Sequence, residues 1–209
     1  MTPGGEPARV ELVVATSNAG KLREMREILD DVPVVLRDLQ AWPDLVFPEE
    51  GDDYAANAAA KARTAMEGTG LPALADDSGL EVNGLGGGPG PRSARFGGPG
   101  LTPGQRVLAL LAALVDCRGS ERDARFVCVA ALATPDGTVV TARGECPGRI
   151  LTGLRGAGGF GYDPVFEVSP GVAMAELSPE RKNAISHRAL ALRGLGDALA
   201  TLCRPGAGG

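Results

Sequence analysis

The chain is poor in the residues that build metal clusters, membrane spans and nucleic-acid-binding surfaces. It has one histidine, His187, and four cysteines, Cys117, Cys128, Cys146 and Cys203, none of them in a C-x-x-C pair. That spacing argues against a structural zinc site and leaves the cysteines as small core residues in a reduced, cytoplasmic setting. No apolar run approaches the roughly 20 residues that a membrane span needs, and no secretory signal pattern is present, so neither a membrane association nor export is expected. Basic excess is also missing. With 21 Lys and Arg against 26 Asp and Glu, the net charge is −5, which argues against a partner gripped through a nucleic-acid backbone. A nucleotide ligand stays open, because a local basic pocket is enough for one.

Glycine (31) and proline (16) are plentiful. They gather between residues 84 and 104 and at the two ends, which reads as loops plus floppy tails over 1–9 and 204–209. The 44% hydrophobic content over 209 residues supplies a sizeable core for a single domain over 10–203.

Strand and helix signals alternate early. Val10 to Ala15 is an apolar run that reads as a buried strand. Thr16-Ser17-Asn18 offers cap chemistry for a helix from Lys21 to Asp30, and Val32 to Leu36 is a second strand. Asp52 or Asp53 caps an Ala-rich helix ending near Gly68. Leu71 to Ala75 then forms a buried strand, Asp76-Asp77-Ser78-Gly79 a turn, and Leu80 to Val82 a short strand. Thr102-Pro103-Gly104-Gln105 is a capping box opening a helix to about Val115. Arg125 to Ala133 and Val139 to Glu145 flank a Pro135-Asp136-Gly137 hairpin turn. Ser178-Pro179 begins a helical region running to Leu202. On one unbroken helix Lys182 and Arg188 would point about 120° apart, so their convergence demands a break near Ala184 to Ser186, with Ser186 as the new cap. These signals together predict an α/β fold with a mixed sheet covered by helices.

The chemistry concentrates in a few segments. Adjacent carboxylates at Asp76 and Asp77, at the end of a buried strand, repel unless a cation or proton lies between them, which suggests a metal site. Glu49-Glu50 is a candidate to complete its oxygen ligands. Thr16 to Lys21 lies between strand and helix, where backbone amides, the helix dipole and Lys21 suit a phosphate. Asn57 and Lys61 share a helix face. Phe160, Gly161, Tyr162 and Asp163 set two aromatics among glycines, where an aromatic face can stack a base. Lys182, Ser186, His187 and Arg188 form the last cluster.

Taken in order, Thr16-Ser17-Asn18-x-x-Lys21, Asn57-Ala58-x-x-Lys61-Ala62, Ala75-Asp76-Asp77-Ser78-Gly79-Leu80, Gly86-Gly87-x-Pro89-Gly90, Ser93-Ala94-Arg95, Gly158-Gly159-Phe160-Gly161-Tyr162-Asp163-Pro164 and Ala184-x-Ser186-His187-Arg188 resemble the Ham1/RdgB/ITPase family of non-canonical purine nucleoside triphosphate pyrophosphatases. The resemblance spans about residues 10 to 202. It implies a long mixed sheet in two lobes with a central cleft, and Mg²⁺-dependent hydrolysis of XTP, ITP and dITP to the monophosphate and pyrophosphate. It also implies a homodimer.

By the same resemblance Asp77 is proton acceptor and metal ligand, and Glu49 is the second metal ligand, with Glu50 adjacent and still open. Thr16, Ser17, Asn18, Ala19, Gly20 and Lys21 match the triphosphate loop, and Lys61 and Lys182 further phosphate contacts. Ser78 matches a substrate contact. Phe160, Gly161, Tyr162 and Asp163, with His187 and Arg188, match the base-binding set. One departure stands out: Ala56 occupies a position where many relatives carry Glu, so any supporting role there passes to Glu49, Glu50 or Asp53. Ala56 also keeps open a catalytically silent nucleotide sensor, and a Maf-like pyrophosphatase of other modified nucleotides is the related alternative.

Overall fold

A computed structural model describes residues 9–204; the tails expected at the two ends fall almost wholly outside that range. One eight-stranded mixed sheet organises the chain. β1 (Val10–Val14) pairs in parallel with β2 (Val34–Arg37) and with β3 (Ala73–Val82). The far edge of β3 pairs antiparallel with β5 (Asp123–Ala133), which forms the expected hairpin with β6 (Val139–Ile150). β7 (Phe166–Ser169) and β8 (Val172–Ala173) extend the sheet, and β4 (Pro89–Gly90) pairs with the end of β3.

Local chemistry sets the helix boundaries. Asn18 caps α1 (Ala19–Ile28), its side chain accepting from the amides of Gly20 and Lys21. Asp53 caps α2 (Tyr54–Thr69), and Gly70, in a left-handed conformation, ends it. The Thr102–Gln105 capping box opens α3 (Pro103–Ala113). The expected helix break is present: α4 (Pro179–Ile185) stops at Ser186, which is extended (φ −69°, ψ 147°) and whose hydroxyl caps α5 (His187–Gly194). A further break at Leu195 starts α6 (Gly196–Leu202).

The sheet is packed on both faces, and the alternation of side chains along each strand sorts them. Leu74 faces a core built with Leu12, Val14, Met25 and Leu192, under α1, α5 and α6. Ala73 and Ala75 face the other way, against Ala58, Ala62 and Ala65 of α2. The small Ala face of α2 lets it lie close to the sheet. A third core joins α3 to Leu80, Phe126 and Phe166.

One sequence expectation is corrected here. Asp76-Asp77-Ser78-Gly79 is not a turn between two strands; β3 runs through it unbroken, with Asp76 opposite Ala130 and Asp77 opposite Val129. A turn looked necessary because burying two carboxylates mid-strand is costly. The structure meets that cost with charged and polar partners from distant segments.

Candidate active site

Residues 75–79 of β3 lack a strand neighbour on one side. Pairing with β1 ends at Leu74, and pairing with β4 begins at Leu80. The gap lies beyond the carboxyl end of β1, the place where open α/β sheets receive ligands. α1 and α2 bring their polar residues to it.

Asp76 and Asp77 are 1% and 4% exposed, and the strand's alternation sends them to opposite faces. Among the described residues no cation contacts both, and each has its own direct partners. Asp76 lies on the α1/α5 side. Its Oδ2 meets Lys21 Nζ at 3.0 Å and accepts from Arg188 Nη2 at 3.0 Å, and the Cys128 thiol approaches to 3.7 Å. Burial would raise its pKa, but Lys21, then Arg188 and Lys61, overcome that and hold the carboxyl far below its usual range. Asp76 is thus a permanent anion locking α1 and α5 to the strand.

Asp77 faces α2. Asn57 Nδ2 donates to its Oδ2 at 2.7 Å, and Lys61 Nζ lies 3.7 Å from its Oδ1. Burial dominates and raises its pKa, with the Asn57 hydrogen bond and Lys61 opposing. A carboxylate held in place, desolvated and more basic than usual is suited to accept a proton.

The glutamate that shares Lys61 with Asp77 is Glu50, the neighbour of the expected ligand Glu49. Glu49 is exposed and makes no hydrogen bond or ion pair among the described residues. Glu50 is half-buried, and its Oε1 sits 2.7 Å from Lys61 Nζ. Burial raises its pKa, but the hydrogen bond and charge of Lys61 outweigh this and bring it below the usual value. Gly51 decides between the two glutamates: its amide donates to Asn57 Oδ1 at 2.8 Å and its carbonyl accepts from Asn57 Nδ2, which pins the loop so that the preceding residue reaches Lys61. Asp53 is spent on capping α2, and Ala56 is exposed.

No cluster of three metal-ligating side chains exists among the described residues. The donor set nonetheless fits a hard cation. Glu50 and Asp77 are bridged by a single ammonium, and Mg²⁺ characteristically takes one or two carboxylates and fills its remaining positions with water and phosphate oxygens.

In the 16–21 loop the Asn18 amide donates to Thr16 Oγ1, while Ser17 and Ala19 are exposed. The amides of Gly20 and Lys21 already serve Asn18. Lys21 itself reaches inward to Asp76. Gly20 leaves room for the Phe160 ring: a Cβ there would lie 2.8 Å from it.

A cavity of about 340 Å³ adjoins this gap, lined by Lys21, Ser78, Phe160, Tyr162, His187 and Arg188 among others. Ser78 Oγ accepts from Arg188 Nη2 at 3.0 Å. Asp163 accepts from the Phe160 amide at 2.8 Å and pairs with Lys182, so it shapes the loop that carries the ring. Gly159 has φ +69°, and a Cβ there would collide with the Asp163 carboxylate, so the loop needs glycine. The Tyr162 hydroxyl donates to Ser93 O at 2.9 Å, anchoring the loop's other side. His187 stacks on Phe126 with ring centroids 4.8 Å apart; burial, with Arg188 and Lys182, keeps its pKa well below the usual value, so the imidazole is neutral. Lys182 lies at this aromatic end, 5.0 Å from the Phe160 ring centre. A larger cavity of about 560 Å³ near Tyr54, Glu81 and Arg143 contains neither Asp77 nor a lysine.

Sequence reading missed Glu24. It is buried on α1, one turn beyond Lys21, with Oε1 2.7 Å from Lys182 Nζ and Oε2 paired with Arg188. It is the group on which the two cations either side of the Ser186 break converge. The available signal was the three-residue spacing from Lys21, which puts both on one helix face.

Known proteins resemble this chain in sequence and in fold. The dITP/XTP pyrophosphatase of Geobacter sulfurreducens is 50% identical over 192 residues, covering 90% of this chain and 96% of its own. The solved structure of a Ham1 protein from Coxiella burnetii superposes with a TM-score of 0.81 at 41% identity, over 91% of this chain and 98% of that one. The Staphylococcus aureus Ham1 structure gives 0.80 at 36% identity, over 92% and 99%. The sequence profile of the Ham1 family matches residues 12–198, a span that includes both aspartates and the residues named above as lining the aromatic cavity; the chain belongs to the Ham1 family.

Proposed function

We propose that the protein is a Mg²⁺-dependent pyrophosphohydrolase that converts XTP, ITP and dITP to the nucleoside monophosphate and pyrophosphate, and so clears deaminated purines from the nucleotide pool. The observation that carries this reading is Asp77: a desolvated, hydrogen-bonded carboxylate at the open edge of β3, beside Lys61 and next to a cavity of nucleobase character. The names of its relatives point the same way.

In this reading the base enters the aromatic cavity against Phe160, and the phosphates extend toward the 16–21 loop and Lys61. Asp77 orients the attacking water and takes its proton as the water attacks the α-phosphorus. Lys21 and Lys61 stabilise the charge that grows on departing pyrophosphate. Asp77 and Glu50 hold the Mg²⁺, which when bound offsets phosphate charge and makes water more acidic. Selection for a 6-oxo purine comes from donors lining the cavity, which would face an unpaired amino group in adenine.

We further propose one domain of two lobes over residues 10–203, a homodimer and a cytoplasmic location, with no membrane or nucleic-acid partner. No helix among the described residues is long and apolar enough to cross a membrane. The test is pyrophosphate release with Mg²⁺ from ITP and XTP, set against ATP. Sedimentation tests the dimer.

A further inference from the structure

Arg106, which no motif above includes, lines the same cavity from α3. Its Nη2 donates to Leu101 O at 3.0 Å, while its Nε is buried and has no partner among the described residues. The other cations there are all matched: Lys21 by Asp76, Lys182 by Glu24 and Asp163, Arg188 by Glu24 and Asp76. Arg106 has no carboxylate partner among the described residues. A guanidinium does not shed its proton, so its buried N–H keeps its need for an acceptor. The nearby Tyr162 hydroxyl is engaged with Ser93 O. That Nε is shielded, but the guanidinium's Nη1 is not closed off and also makes no hydrogen bond among the described residues, so Arg106 has a free donor to offer whatever fills the cavity.

A chemical requirement of the proposed function, on which this inference rests, identifies that acceptor. Inosine and guanosine nucleotides share the 6-carbonyl, so donors to that oxygen cannot separate them. The 2-position differs among all three: a carbonyl in xanthine, with a proton on the adjacent N3, hydrogen in hypoxanthine, an amino group in guanine. We infer that Arg106 is a specificity-determining residue that reads the 2-position of the purine, donating to the xanthine 2-carbonyl and repelling the guanine 2-amino group, a donor facing a donor.

The experiment compares kcat and KM of the wild type, Arg106→Met and Arg106→Lys on XTP, ITP and GTP, with Tm as a check of folding. Arg106→Met should lower kcat/KM on XTP by roughly ten- to a hundredfold, the range for a hydrogen bond to a charged donor. The loss should sit in KM. Activity on ITP should change little, GTP should improve relative to ITP, and Arg106→Lys should restore part of the XTP preference. Equal losses on XTP and ITP, or no loss on either, would overturn the assignment. Calorimetric binding of XMP against IMP to the same variants reads the same difference without turnover. A wild type that hydrolyses neither XTP nor ITP would thus refute the proposed function, while the binding ratio still decides the role of Arg106.

Discussion

Asn57 Nδ2 donates to Asp77 Oδ2 at 2.7 Å, joining α2 to the middle of β3. The same amide group takes the Gly51 carbonyl, and its oxygen accepts the Gly51 amide, so one side chain fixes both the base and the loop that carries Glu50. Asn57 is therefore a positioning residue. Replacing it by Ala removes a bond to the ionised form of Asp77, which raises the Asp77 pKa further. The acid limb of the pH–kcat/KM profile should move to higher pH and kcat should fall by roughly tenfold or more. An unchanged limb would contradict the role.

The neighbouring aspartates should respond to pH in opposite ways. The Asp76 pKa is lowered in the fold, so the unfolded chain binds more protons there; its stabilisation is present above the ordinary carboxyl range and is lost progressively as pH falls from that range toward the depressed folded value. Asp76→Asn strands Lys21 and leaves Arg188 with Glu24 as its one carboxylate, and should cost about 3–5 kcal/mol at neutral pH, the cost of breaking a buried pair. The Asp77 pKa is raised, so its ionisation opposes folding as pH rises through the raised value. Asp77→Asn should keep or raise Tm at pH 7, with the difference from wild type shrinking in acid. Melts from pH 3 to 8 separate the two.

Glu50 and Glu49 are distinguished by Mg²⁺ titration of activity. Glu50→Gln should raise the Mg²⁺ concentration needed for half-maximal rate by roughly tenfold, as expected for losing a charged ligand contact. Glu49→Gln should leave it near the wild-type value. The reverse pattern would restore Glu49.

Phe160 is held by the Gly159 turn and by the close approach of Gly20. Phe160→Ala should raise KM roughly tenfold or more, because base–aromatic stacking contributes about 1–3 kcal/mol. The effect on kcat should be smaller. A kcat effect alone would place the ring outside the base site.

Caps, turns and the break at Ser186 were legible because their causes are local: a hydroxyl or carboxylate accepting from the next turn of backbone. The candidate site residues stood out as motifs. The placement of Asp76 and Asp77 on opposite faces was not legible, because it depends on β3 continuing through both residues, and that depends on Lys21, Asn57, Lys61 and Arg188 arriving from three other elements, α1, α2 and α5. Glu24 was hidden for the same reason: its two partners lie across the fold on α4 and α5. The choice of Glu50 over Glu49 turns on a one-residue shift in a loop pinned by Asn57, which no spacing rule contains.

The most direct measurement is pyrophosphate release from XTP, ITP, ATP and GTP by the purified protein with Mg²⁺, alongside Asp77→Asn. The expected result is rapid release from XTP and ITP, slow release from ATP and GTP, and none from the variant despite an intact melt. Equal rates on ATP and ITP, or full activity without the Asp77 carboxylate, would contradict it.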